Sequence, residues 1–416
     1  MSEGPQTPTQ AETGSPREEL ALRVFGGLLL VLGLVYAAAA VAHLLGPLGG
    51  LDSSYRWLEH RYSARGKAPL AVHLDPGLIE DDLGPVGHAG TYPPWAVVTG
   101  SAVIPPLASL RAAKAWFALC SLLGLGLTLV YARWLAQRAR PGSLGAVLLL
   151  AGAAAAVFGN AVSLRMGQYG LLLNGLLAAC LVLHERRRDL ASGVLLGVVA
   201  LKPTITAPFA LPHLVRWRWR SLAAAAVYVV GTSALFLAWC GVSPGELATM
   251  RGAVREGMAW ETIYNDTGLI RVLLEVGVPG GAASLAALLL GGLSALALGW
   301  RFRAASTLAL AGLLSLCGRL WMYHRRYDDT MLAFLLLALG ALALRRRRWQ
   351  AWAAFALVGL SLWAPTRMVW QGAPLISLRL ACWGLGAGYL GVSLLGGEDP
   401  DPAGVISGTE RAVQRG

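Results

Sequence analysis

Charge is scarce in this chain. Of its 416 residues only 14% are Asp, Glu, Lys or Arg, against roughly 25% in soluble proteins. That shortage argues against a water-soluble globule, and 56% hydrophobic residues with a mean hydropathy of +0.55 point to a bilayer. Cysteine is scarce as well. Cys120, Cys180, Cys240, Cys317 and Cys382 are dispersed within apolar runs, where they read as small buried hydrophobes. They form no disulfide frame and no metal-ligand spacing. No P-loop, GxGxxG, GxSxG or HExxH sequence stands in a fitting context. The apolar runs also lack the polar–apolar alternation of a membrane β-barrel, which removes that architecture.

What is present is a succession of long apolar runs. Val24–Leu45, Leu144–Val162 and Ala282–Leu298 approach or reach the roughly 20 residues that cross hydrocarbon as a helix. The expected fold is therefore an all-α polytopic membrane protein of about 10–12 spans. Residues 1–18 read as a disordered polar tail, 19–397 as the membrane domain and 398–416 as a second tail. The first run is too long and too deep for a cleaved signal and reads as a retained span. The net charge of +12 sits in short arginine-rich loops, Glu185–Arg188, Arg216–Arg220, Arg301–Arg303 and Arg345–Arg348. This is the positive-inside bias of an inner or plasma membrane protein rather than a nucleic-acid surface.

With those loops in the cytoplasm, the polar stretch 46–95 lies outside. It holds Asp52, Glu59, Asp75, Glu80, Asp81 and Asp82 with His60, His73 and His88. Ala96–Leu110, short and broken by Pro105-Pro106, is either a dip into the bilayer or a short span. Ala191–Val215 has cationic clusters at both ends and Lys202-Pro203 near its middle. Proline breaks a helix, so a hairpin is favoured over one continuous span. On this path the unusual polar residues share the outer side: Asp52, the Asp75–Asp82 cluster, Arg165, Gln168, Lys202, Asn265-Asp266 and Tyr323–Asp329. Ionisable groups at membrane depth are costly and mark sites or pathways, so both signs on one face suggest a cavity for an anionic polar ligand. Each residue also has a plainer reading. Asp52 can be an N-cap for the helically spaced Tyr55, Leu58 and Tyr62. Asp75-Pro76 and Asp81-Asp82 can be turn formers or, less simply, hold a divalent cation. Tyr92-Pro93-Pro94-Trp95 can be an interfacial anchor, Lys202 a snorkelling side chain, and Arg325, Arg326 and Asp328 an internal ion pair.

In order along the chain, Asp52…Tyr55 after the first span, Tyr92-Pro93-Pro94, Gly167-Gln168, the small-residue helix Gly193–Gly197 ending in Lys202-Pro203, and His324…Tyr327-Asp328 resemble glycosyltransferase family 87. This family is of the GT-C type and includes polyprenyl-phosphomannose-dependent mannosyltransferases of bacterial envelopes. The sequence departs from the family at Gly170, where Asn is frequent, with Asn174 further on. The extra acids of the first outer loop leave Asp75, Asp81 or Asp82 as alternatives to Asp52.

The resemblance implies a GT-C-like bundle in a bacterial inner membrane with its site on the periplasmic side. The donor it implies is a polyprenyl-phosphate sugar, and the acceptor an envelope glycolipid or glycan. Asp52 is the expected general base. Lys202 with Arg325 or Arg326 is expected to meet the phosphate, and Tyr92, Arg165, Gln168, His324 and Asp328 to shape the pocket. No cofactor or metal is implied, because no diphosphate needs neutralising. Two other classes fit the composition, a lipid-sugar transporter and a non-catalytic envelope assembly protein; no internal repeat supports the transporter.

Overall fold

In a computed structural model the structure describes residues 15–86, 92–253, 267–365 and 373–401. His88, Asn265, Asp266 and most of both expected tails lie outside them. Among the described residues there is no strand. The helices are α1 (Pro16–Leu45), α2 (Leu51–Ala64), α3 (Pro69–Leu74), α4 (Pro94–Val103), α5 (Leu110–Ala139), α6 (Leu144–Ala155), α7 (Phe158–Met166), α8 (Gly170–Glu185) and α9 (Asp189–Val199). Short pieces α10 (Pro203–Thr206) and α11 (Leu211–Val215) follow. Then come α12 (Trp219–Cys240), α13 (Leu269–Glu275), α14 (Gly280–Arg301), α15 (Thr307–Leu320), α16 (Ala333–Arg346), α17 (Trp349–Trp363) and α18 (Ala373–Leu395). The chain is an all-α polytopic membrane protein. Among the described residues six helical segments are long and apolar enough to cross a bilayer, seven if the pair α6–α7, bent by 43°, is one span. Four further apolar helices are shorter than a span. The apolar runs counted from sequence thus include helices cut short by proline, glycine and polar residues.

The bundle is built around α16, whose residues Ala333–Leu344 are all buried. Such a helix is apolar on every side because other helices cover every side. Between neighbours, side chains as apolar as lipid supply little drive to associate, so close backbone approach takes over. At the α1–α6 crossing, a Cβ on Gly152 would fall 2.3 Å from the carbonyl oxygen of Gly26. At the α5–α8 crossing, one on Gly175 would fall 2.2 Å from that of Gly124.

All the arginine-rich loops meet at one end of the bundle. Arg140 pairs with Glu18 at 2.8 Å, Arg138 with Glu185 at 3.1 Å and with Asp401 at 3.0 Å, and Arg348 with Glu398 at 2.8 Å. The 191–215 run is the favoured hairpin. Its two ends join there, where Arg218 sits 3.6 Å from Asp189 and Arg216 donates to His184 at 3.2 Å. Its tip, Ala200–Lys202, is carried to the opposite end.

At that opposite end the first polar loop is largely helical. Gly50, left-handed with φ of 63°, caps α2, and no side chain does so. The N-cap reading of Asp52 is therefore corrected: Asp52 occupies the first turn. Ala96–Leu110 is no span. Pro94 starts α4 in place and the helix ends after ten residues, about 15 Å of rise against about 30 Å of hydrocarbon. Trp57 and His60 of α2 hold the turn after it through the carbonyls of Ala108 and Ile104, both at 2.9 Å.

Gly152→Leu places its Cβ inside the α1 backbone and forces the two helices apart. We expect loss of most folded protein, a penalty above the about 1–3 kcal/mol of ordinary overpacking, read as loss of the monodisperse peak on size exclusion. A wild-type profile would show that α1 and α6 do not cross so closely.

Candidate active site

One hydrogen-bonded network joins five segments at the end opposite the arginine loops. Gln168 Nε2 donates to Asp52 Oδ2 at 2.6 Å. Its Oε1 accepts from Lys202 Nζ and from the Tyr92 hydroxyl, each at 3.3 Å. Lys202 Nζ also donates to Asp328 Oδ1 at 2.5 Å. The other carboxylate oxygen of Asp328 lies 3.2 Å from His324 Nδ1 and accepts the Arg325 backbone N–H at 3.1 Å. The Tyr327 ring lies under the ammonium, 4.4 Å from Nζ. Lys202, Gln168, His324 and Asp328 are buried, and Asp52 is half-buried.

The local sequence explains the arrangement. Pro203 starts the helical turn α10, so the chain turns at Lys202 and directs its side chain inward instead of continuing α9. Gly167 ends α7 with φ of 78°, and a Cβ there would lie 2.4 Å from that of Ser53. Only glycine both adopts that conformation and lets α2 come this close. Gln168 therefore emerges beside Asp52, one residue before Ser53. The Gly50 N–H bonds the Arg165 carbonyl at 3.1 Å, and Lys114 Nζ bonds that of Gly49 at 2.6 Å. These contacts hold the turn that presents Asp52. The departure at Gly170 has a steric reason, since a Cβ there would meet Thr330 Oγ1 at 2.9 Å and Ser163 Oγ at 3.1 Å. Asn174, one turn on, donates to the Thr330 carbonyl at 2.5 Å.

The candidate residues divide. Asp52, Tyr92, Gln168, Lys202, His324 and Asp328 converge. Arg325 adjoins them through its backbone, while its guanidinium donates to the Tyr323 hydroxyl. Arg165 contributes its carbonyl to the α2 turn, and Arg326 begins the 3-10 turn Arg326–Leu332 half-buried. The other acids lie elsewhere. Asp82 forms a two-pronged pair with Arg65 at 2.7 and 2.9 Å, at the far end of α2, about 20 Å from Asp52. Asp75 caps the turn at Gly77 and Asp81 is exposed. Among the described residues no three His, Cys, Asp or Glu side chains converge as a metal site.

Sequence reading named Glu59 and Asp329 but missed their partners Arg56, Arg319 and Arg379. Arg56 and Glu59 stand four and seven residues after Asp52, a spacing that puts all three on one helix face. Arg56 pairs with Glu59 at 2.5 Å and lies 4.3 Å from the Tyr92 ring centroid. Burial raises the Glu59 carboxyl and Arg56 draws it back down; the net displacement is upward. Burial likewise raises Tyr92, with Lys202 and Arg56 opposing, and lowers His60 to about 4. The second group sits behind Asp328. Asp329 is held by Arg319 at 2.8 Å and by Arg379 of α18 at 2.6 Å, all three buried. Chemically, the cluster sets a half-buried carboxylate and a buried ammonium one amide apart, as acid–base chemistry beside an anion requires.

Gly167→Ala tests this packing. The added methyl must push α2 off Gln168, and we expect activity to fall at least about ten-fold with the size-exclusion profile retained. Undiminished turnover would show that the Gly167–Ser53 contact does not position Asp52.

The profile of glycosyltransferase family 87 matches residues 91–338. No curated protein and no solved structure matched the chain. The matched stretch contains Tyr92, Gln168, Lys202, His324 and Asp328 but neither Asp52 nor Arg379, which only the fold brings to it. With more than half of its sequence matched, this multi-pass membrane protein belongs to glycosyltransferase family 87.

Proposed function

We propose that the protein transfers a sugar, mannose or another hexose or pentose, from a polyprenyl-phosphate donor to an envelope glycolipid or glycan acceptor. The membrane would be a bacterial inner membrane, with the site on its periplasmic side and a GT-C-like arrangement of the catalytic end. The observation that carries this reading is the Asp52–Gln168–Lys202–Asp328 chain, a base and a cation held together at the face away from the arginine loops.

In this reading the acceptor hydroxyl attacks the anomeric carbon and gives its proton to Asp52. The carbon–oxygen bond to phosphate breaks with its electron pair remaining on the phosphate, and the anomeric centre inverts. Asp52 suits the base because only one of its oxygens is engaged by Gln168, whereas both oxygens of Asp328 are occupied. An ammonium has three donors. Lys202 uses two on Asp328 and Gln168 and keeps one for the leaving phosphate, with Arg325 or Arg326 as its companion. Both charges of the Lys202–Asp328 pair are buried, so the cation is fixed before the phosphate develops charge.

Asp52→Asn retains shape and the Gln168 contact but removes the base. With purified protein and a labelled polyprenyl-phosphate sugar, turnover should fall by about 10²–10⁴-fold while expression and membrane insertion stay normal. Unimpaired transfer would move the role to Asp75, Asp81 or Asp82. Lys202→Ala should weaken donor use more than Lys202→Arg, because arginine still presents a cation to phosphate. Equal activity of the two would remove the phosphate role. The same assay separates the other classes, since a transporter moves label without forming a new glycoside and an assembly protein does neither.

A further inference from the structure

Helix α2 carries three charges of alternating sign on one face. Asp52, Arg56 and Glu59 are spaced four and three residues apart, and residues so spaced are neighbours on a helix surface. The guanidinium in the middle thus has an acid on each side. An acid four residues before an arginine is a favourable helical pair, yet Arg56 pairs with Glu59, at 2.5 Å, and Asp52 is left to Gln168. On its other side Arg56 meets the Tyr92 ring, 4.3 Å from its centroid, a favourable cation–π distance. Tyr92 is seated in turn by the Tyr169 ring, edge to face at 5.9 Å, and by Arg251, which donates to its carbonyl at 2.9 Å. The Tyr92 hydroxyl donates to Gln168 Oε1 beside Lys202. Two donors on that oxygen leave the Nε2 end of the amide for Asp52.

Stability does not account for the Arg56–Glu59 pair. Its side chains are only 11% and 1% exposed, and Arg56 Nε and Glu59 Oε1 have no hydrogen-bond partner among the described residues. A buried ion pair left partly unsatisfied gains little over apolar side chains of similar volume. We propose that Glu59 is a positioning residue for the transfer: it holds Arg56 against Tyr92 and off Asp52, so that the Asp52 carboxylate stays open to a proton. This deepens the transferase reading and rests on Asp52 as its base. Without Glu59 the buried guanidinium is left unpaired, which is strongly unfavourable, and the acid remaining on its helix face is Asp52. Pairing there would occupy the oxygen that Gln168 leaves open. Loss of Arg56 has no such effect. Burial, the largest influence on the Glu59 carboxyl, then raises it without Arg56 to oppose, which leaves a neutral side chain and an unchanged Asp52. The two halves of the pair are therefore unequal in their effect on transfer, an asymmetry that a purely structural pair would not produce.

The test compares Glu59→Met, Arg56→Met and the double variant, each taken as monodisperse protein from size exclusion and assayed with a labelled polyprenyl-phosphate sugar. Glu59→Met is expected to lose about 10²-fold in kcat with donor KM unchanged, because Lys202 keeps its contacts. Arg56→Met and the double variant should stay within about ten-fold of wild type, having lost the cation–π contact alone. The second substitution thus restores activity that the first removed. Glu59→Gln, which keeps the side-chain shape, should show a smaller loss with the same recovery on adding Arg56→Met, and it serves if Glu59→Met does not fold. Equal kcat for the Glu59 and Arg56 single variants, or no recovery in the double variants, would overturn the proposal. A cryo-electron microscopy map of the Glu59 variant decides it without turnover. Arg56 should stand within ion-pair distance of Asp52, and Arg56 still resting on Tyr92 alone would overturn the proposal. The transferase reading fails separately, by the absence of any labelled glycoside from the wild type.

Discussion

The buried pair Lys202–Asp328 is the interaction on which the candidate active site depends. Two charges in a low-dielectric interior are tolerable only when each satisfies the other and further hydrogen bonds take up the remaining valences. Here Gln168, His324, the Arg325 amide and the Tyr327 ring do so. The consequence is topological. The tip of the 191–215 hairpin, the turn after α7 and the 3-10 turn before α16 must all reach the same point, and each is irregular backbone. Irregular backbone at depth survives only where protein or a polar cavity surrounds it. The pair therefore selects how these elements meet as well as what chemistry they present.

Around that point the support comes from residues distant in sequence. Asp329, next to Asp328, is fixed by Arg319 of α15 and Arg379 of α18, so the last helix steadies the turn that holds Lys202. On the other flank, α2 lies before the family-matched stretch yet delivers Asp52, Arg56 and Glu59 to it. Its approach depends on glycine at 167 and on carbonyl contacts from Lys114 and to Gly50. The hydrogen-bonded cluster is thus wider than the stretch that identifies the family.

The two ends of the molecule use charge differently. At the arginine-rich end, pairs such as Arg138–Glu185 and Arg348–Glu398 are partly exposed and tie neighbouring loops together. Pairs of that kind contribute little stability each. At the other end fewer charges are buried more deeply. The same side-chain types tie loops together at one surface and line the candidate site at the other, because burial changes what a charge costs.

Sequence by itself determined the class of architecture, since apolar run length and arginine placement are one-dimensional quantities. It also singled out Gly167-Gln168, Lys202-Pro203 and Tyr327-Asp328, where a polar residue next to glycine or proline interrupts apolar helix. It did not separate true spans from short helices, because run length is blind to where a helix bends, as between α6 and α7. Nor did it rank Asp52 above Asp75, Asp81 and Asp82, which are alike as letters. Tertiary structure gives them different partners: Gln168, 116 residues away, meets Asp52, while Arg65 takes Asp82 at the far end of α2. The partners of a carboxylate are set by packing between distant segments, and no local pattern encodes them.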